Sequence, residues 1–164
     1  MEAWERQRVI AAGEDHSLAL KADGSIVSWG DDGDNVVSDT PLGTDFVQVA
    51  AGLYHSLALK ADGSIVAWGL DYYNQVSDTP LGTDFVQITG GYRHSLALKS
   101  DGSIAAWGYD YHNQVNDTPT TSDFAQVAVG EVHSLALKSD RSIVAWGNDT
   151  YNQVSDTPLS LIHI

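Results

Sequence analysis

The sequence predicts an all-β fold of four small sheets laid one on another, and three observations carry that expectation. The first is self-similarity at a fixed period. His16, His55, His94 and His133 recur every 39 residues, and Trp29, Trp68, Trp107 and Trp146 keep the same interval. The second is that apolar residues fall in short runs rich in Val, Ile, Leu and aromatics, without helical spacing. The third is a turn signal at a constant place. Asp23-Gly24, Asp62-Gly63 and Asp101-Gly102 separate two such runs, and tight hairpin turns need the positive φ that glycine adopts freely.

The copies span approximately 9–41, 42–80, 81–119 and 120–158, all within one repeat domain over 1–164, and 159–164 form an off-pattern tail. In the second copy the expected strands are Phe46 to Ala51, Ser56 to Lys60 and Ser64 to Trp68. The stretch Asn74 to Asp84 holds Pro80 and Gly82 and reads as a connection, with room for a short fourth strand at Asn74-Gln75-Val76. Each sheet therefore has three antiparallel strands, or four. Leu57 and Leu59 alternate with Ala58, and Val66 and Trp68 flank Ala67, so both faces of each strand are apolar or small. Such strands need cover on both sides, as sheets stacked around an axis provide.

Composition narrows the partners. The 164 residues suffice for one core, and a formal charge of −14 repels phosphate backbones and anionic lipid, so neither nucleic acid nor membrane is expected. With no cysteine there is no disulfide and no thiolate metal site. No apolar run approaches the length of a membrane span, and Met1-Glu2-Ala3-Trp4-Glu5-Arg6 does not read as a secretory signal.

The string Val49-Ala50-Ala51-Gly52, His55-Ser56-Leu57-Ala58-Leu59, Asp62-Gly63 and Trp68-Gly69 resembles the repeat of the regulator of chromosome condensation family. Its short blades are most similar to those of β-lactamase inhibitor protein II, a secreted bacterial member. The likeness covers Val9 to Pro158 and recurs in all four copies. It implies a β-propeller of four 39-residue blades and favours an extracellular or cell-surface location. Family rings usually have seven blades, so four imply an incomplete ring or half of a larger one. The tail Ser160-Leu161-Ile162-His163-Ile164 has two readings: appended non-native sequence, or a closing strand that copies the alternation of Phe85-Val86-Gln87-Ile88. An open arc is expected, its end faces each carrying Val, Ile, Leu and Trp and associating as a homodimer.

The copies differ from one another in two places. One is the pair before the repeated His: Glu14-Asp15, Leu53-Tyr54, Tyr92-Arg93 and Glu131-Val132. The other follows Trp-Gly: Asp31 to Asp34, Leu70 to Tyr73, Tyr109 to His112 and Asn148 to Tyr151. All seven tyrosines lie there. Strand direction puts both places at one end of the blades, with Lys21, Lys60, Lys99 and Lys138 at the other. Tyrosine offers large contact area at low entropic cost. Tyr54, Tyr72, Tyr73, Tyr92, Arg93, Tyr109, Tyr111, His112 and Tyr151 are therefore the candidate partner-binding residues, against the alternative that loop tyrosines only shield blade edges.

Catalysis has no candidate residue. The repeated histidines could ligate a metal, but one recurring packing or hydrogen-bond need explains them better. Asp32, Asp71, Asp110 and Asp149 fit loop capping better than calcium. Ser17, Ser56, Ser95 and Ser134 follow His directly, and strand neighbours point to opposite faces. Neither a cofactor nor a metal is expected, and the near-symmetry of the copies argues against an enzyme. The expected function is a protein-binding scaffold or inhibitor-like recognition module. The alternatives are a glycan-binding propeller and a structural repeat fragment without a ligand.

Overall fold

The computed structural model describes residues 9–158. Twelve strands form four three-stranded antiparallel sheets, with no helix among the described residues. The first blade holds β1 (Ile10–Ala12), β2 (His16–Leu20) and β3 (Ile26–Gly30); the second, β4 (Phe46–Ala51), β5 (His55–Lys60) and β6 (Ile65–Gly69). The third holds β7 (Phe85–Gly90), β8 (His94–Lys99) and β9 (Ile104–Gly108); the fourth, β10 (Phe124–Val129), β11 (His133–Lys138) and β12 (Ile143–Gly147). Each sheet falls inside one sequence repeat, because a tight Asp-Gly-type turn joins its second and third strands. Asp62 shows how that turn closes: its Oδ1 accepts the Ser64 amide at 2.9 Å and the Ser64 hydroxyl at 2.6 Å.

The cores lie between blades. Leu18 and Ile26 of the first blade pack with Phe46, Val49, Ala58 and Trp68 of the second. Leu57 and Leu59 meet Phe85, Ile88, Ala97 and Trp107 in the same way, and Leu96 and Leu98 meet Phe124, Val127, Ala136 and Trp146. Strand alternation sorts these residues, since Leu57 and Leu59 face the following blade while Ala58 faces the preceding one. Trp68 pairs with Ser56 in the register and shares the Ala58 face.

Two expectations are corrected. Asn74-Gln75-Val76 is not a fourth strand but part of a compact turn. Asn74 has φ 59, and the Asp71 carboxylate accepts the amides of Val76 and Ser77, so the donors a strand would use are already taken. The two end faces are also unlike. The four repeated tryptophans look backward, so Trp146 is buried against the third blade at 4 % exposure, whereas Trp29 has no blade before it among the described residues and is 51 % exposed. Ile10 and Val27 lie open beside it. The forward face of the fourth blade instead presents the half-buried His133, Leu135 and Leu137. The tail, with its proposed closing strand, lies outside the described residues.

The fourth turn departs from the others as its sequence implies. Gly24, Gly63 and Gly102 have φ of 81, 84 and 84, and Arg141 in their place has φ 72. Asp140 still caps the turn through Ser142 at 2.9 Å, so the geometry is kept at the cost of a side chain in the left-handed region. Arg141→Gly is expected to stabilise the fold by on the order of 1 kcal/mol, raising the melting temperature by a few degrees. A lowered melting temperature in calorimetry would refute this.

Candidate recognition surface

The repeated histidine is a clamp between blades. His16 Nε2 lies 2.9 Å from Ser56 Oγ, His55 Nε2 2.7 Å from Ser95 Oγ, and His94 Nε2 3.1 Å from Ser134 Oγ. His and Ser of one blade do point apart, as alternation requires, yet the His of each blade meets the Ser of the next. The rings fit only because glycine lies beneath them: a Cβ on Gly52 would overlap the His55 ring and come within 2.6 Å of the Gly91 carbonyl. These contacts bear out the reading that each blade needs the same hydrogen bond and packing contact.

The loop after each Trp-Gly is built in the same way. The Leu70 amide donates to the Tyr54 carbonyl at 2.9 Å, which sets the loop beside the residue before the histidine, as strand direction implied. Asp71 Oδ1 accepts the Val76 and Ser77 amides at 2.8 and 2.9 Å. Asp32, Asp110 and Asp149 accept the corresponding amides, so the recurring aspartates are loop caps. Gln75 is fully buried and accepts from the Tyr73 amide at 2.7 Å, while its carbonyl takes the indole N–H of Trp107 at 3.0 Å. Gln114 repeats this with His112 and Trp146. The second and third loops thus lean onto the next blade and carry their aromatic residues there.

The outcome is a continuous aromatic surface across the second and third blades. Tyr73 meets Tyr72 at 4.8 Å and Tyr109 at 4.7 Å between ring centroids, Tyr109 stacks with Tyr111 at 6.3 Å, and Tyr111 meets His112 at 5.0 Å. Tyr54 and Tyr92 pair edge-on at 5.9 Å. The Arg93 guanidinium joins the two groups, 4.6 Å from the Tyr92 ring, 5.0 Å from Tyr73 and 5.8 Å from Tyr54. Eight of the nine candidate residues are thereby brought together. Tyr151 is not; it is 88 % exposed and touches no other ring among the described residues.

Two further residues belong to this surface. The Glu14 carboxylate, with burial and Tyr92, pushes the Tyr54 hydroxyl up to about 12, so Tyr54 keeps its proton. Asn148 Nδ2 lies 3.1 Å from His112 Nδ1. Both occupy variable positions, but only the lean of one blade onto the next brings them into contact. At the opposite end Lys60, Lys99 and Lys138 pair with Asp45, Asp84 and Asp123 at 3.3, 3.3 and 3.0 Å. Along the axis the inner strands leave a groove of about 450 Å³, lined by small residues such as Gly13, Ala51, Gly52, Gly90 and Gly91.

The sequence pattern behind this geometry matches a known repeat in all four copies. The Regulator of chromosome condensation (RCC1) repeat covers residues 8–35, 46–75, 85–114 and 124–153. The chain belongs to this family. Its fold is shared with RCC1-type and related propellers at low identity. The CRINKLY WD40 ectodomain of the Arabidopsis thaliana receptor kinase ACR4 is 24% identical, with TM-score 0.72 over 92% of this chain and 53% of that one. Prp20p from Saccharomyces cerevisiae is 23% identical, with TM-score 0.70 over 84% of this chain and 44% of its own. Human WBSCR16 is 21% identical, with TM-score 0.72 over 98% of this chain and 52% of its own. This RCC1-repeat chain therefore spans about half the length of these structures. No curated protein matches it in sequence.

The histidine clamps give stability a pH dependence of defined sign. Burial, reinforced by the charges of His94 and His16, holds His55 down to about 3; burial, reinforced by His133, holds His94 down to about 4, against an ordinary value of 6.5. Below pH 6.5 the unfolded chain takes up these protons and the folded chain does not. Stability is therefore unaffected by them above that pH and falls below it, by up to about 1.4 kcal/mol per pH unit for each residue. The melting temperature is expected to be level from neutral pH upward and to drop steadily from pH 6.5 toward 4, the folded value of His94. A constant melting temperature through that window would contradict the neutral clamps.

Proposed function

We propose that this RCC1-repeat chain is a non-catalytic protein-binding module, an inhibitor-like scaffold that takes its partner on the tyrosine surface. The observation that carries the reading is continuity: eight candidate residues from adjoining blades form one aromatic surface, and Tyr72 and Tyr111 on it are 77 % and 79 % exposed. Large exposed aromatics on a rigid frame are the usual anchors of protein recognition. A glycan-binding propeller with one site per blade would favour like loops, and the first blade carries Asp31-Asp32-Gly33-Asp34 where the second carries Leu70-Asp71-Tyr72-Tyr73. Protein binding on this fold has precedent in Prp20p, described with binding to Gsp1p and histones and as a complex with Kap60. For a partner captured by pull-down, Tyr72→Ala, Tyr73→Ala, Tyr92→Ala and Tyr111→Ala are expected to weaken binding about tenfold or more at the anchoring positions. Lys60→Ala and Lys99→Ala are expected to leave it unchanged. Equal losses from the two sets would reject the assignment.

A second reading concerns association of the 164-residue chain, and it is supported by complementarity of the end faces. His133 on the forward face repeats the histidines that bind Ser56, Ser95 and Ser134, and Ser17 on the backward face repeats those serines. Trp29 repeats the tryptophans that donate to Val36, Gln75 and Gln114, and Gln153 repeats those acceptors. Gln126, exposed here, repeats Gln48, which accepts the Ile88 amide at 2.8 Å. A second copy docked at both ends would complete an eight-blade ring with contacts already used inside the chain. Light scattering at micromolar concentration is expected to give a dimer, and acrylamide quenching of Trp29 to fall on association. A monomer with Trp29 freely quenched would defeat this reading.

A further inference from the structure

We propose that Arg93 determines the specificity of the tyrosine surface by binding one carboxylate, an Asp or Glu side chain on an otherwise basic protein partner. This deepens the reading above and rests on it.

Arg93 is the one cation on that surface among the described residues. Lys60, Lys99 and Lys138 lie at the far end and are each paired with an aspartate, and Arg141 is in the fourth Asp-Gly-type turn, also at the far end. The chain has 22 Asp and Glu, yet among the described residues none lies within ion-pair distance of Arg93. Its guanidinium is held by three tyrosine rings, and Nη1 donates to the Tyr73 hydroxyl at 3.1 Å. Nε is buried without a protein acceptor, so a ligand reaches the outer edge, where the remaining Nη protons are. The rings fix the side chain in place, so little conformational freedom is left to lose on binding. A planar cation immobilised without a counter-ion is a preformed receptor for a carboxylate.

The surroundings select the class of anion. Glu14, Asp15, Asp71, Asp110 and Glu131 occupy the loops of the same end. Their field opposes nucleic acid, sulfated glycans and doubly charged phosphoryl groups, and it favours a single carboxylate set among lysines and arginines. The equivalent positions in the other blades are Asp15, Tyr54 and Val132, so the described blades hold one such site.

The test titrates the whole chain with acetyl-Lys-Lys-Asp-Lys-Lys-amide and its Asn twin, following the guanidinium resonances of Arg93 by NMR. Wild type is expected to bind the Asp peptide about fivefold or more tightly than the Asn peptide. Arg93→Gln is expected to abolish the difference, Arg93→Lys to restore part of it, and Lys60→Gln to leave it intact. Equal affinity of the two peptides for wild type, or discrimination that survives in Arg93→Gln, overturns the proposal. So does stronger binding of the phosphoserine twin, or of a peptide whose sole carboxylate is its C-terminus, or no shift of the Arg93 resonances at about 10 mM Asp peptide. If wild type does not discriminate but Tyr72→Ala and Tyr111→Ala weaken both peptides, the tyrosine surface stands and only the role of Arg93 falls.

Discussion

No blade in this protein can bury a core of its own, and the rest of the structure follows from that constraint. A three-stranded sheet with small or apolar residues on both faces has nowhere to hide them except against another sheet. The chain solves this by repeating one sheet whose two faces are complementary. Leucines and histidine look forward; alanine, serine and tryptophan look backward. Glycine before each histidine leaves the space the imidazole occupies, and Ser in the next blade takes its Nε2. Removing the serine would leave a buried imidazole without its Nε2 partner, and adding a side chain at the glycine would collide with the ring.

The same complementarity gives the stack a direction. Tryptophan reaches back to a loop carbonyl of the preceding blade, which pulls that loop forward over the interface. A loop therefore belongs structurally to two blades. Its aspartate-capped frame is constant, since Asp32, Asp71, Asp110 and Asp149 all hold the same pair of amides. Most variation falls on the side chains that this end projects, among them the tyrosines, Arg93 and His112. A rigid repeated frame carrying variable aromatic side chains separates stability from recognition, so surface residues can differ between blades without disturbing the core.

Most of the fold was legible in the sequence, for a physical reason. The 39-residue period, the Asp-Gly turns and the alternation on both strand faces are local consequences of backbone geometry, and each needs only neighbours in the chain. Arg141 at positive φ was legible in the same way, by comparison with three glycines at its position. The missed details depend on distant parts. Asn74-Gln75-Val76 alternates well enough for a strand, but Asp71 captures its amides and Gln75 turns inward to support the next blade. The end faces looked alike because the sequence shows which residues are apolar without showing which way they look.

The recognition surface divides along the same line. The sequence by itself determined that the tyrosines share one end of the blades, because strand direction and loop length leave no other place for them. It also determined that they are the part of the repeat free to vary. Only the tertiary structure decided that Tyr54, Tyr73 and Tyr92 converge on Arg93, that Glu14 and Asn148 join them, and that Tyr151 stands apart. Apart from Tyr92 with Arg93, those contacts link residues of adjoining blades, and their geometry is set by the angle and offset between packed blades. That offset comes from how leucine, phenylalanine and tryptophan fill the space between two sheets, a property of the packed pair that no single stretch of chain contains.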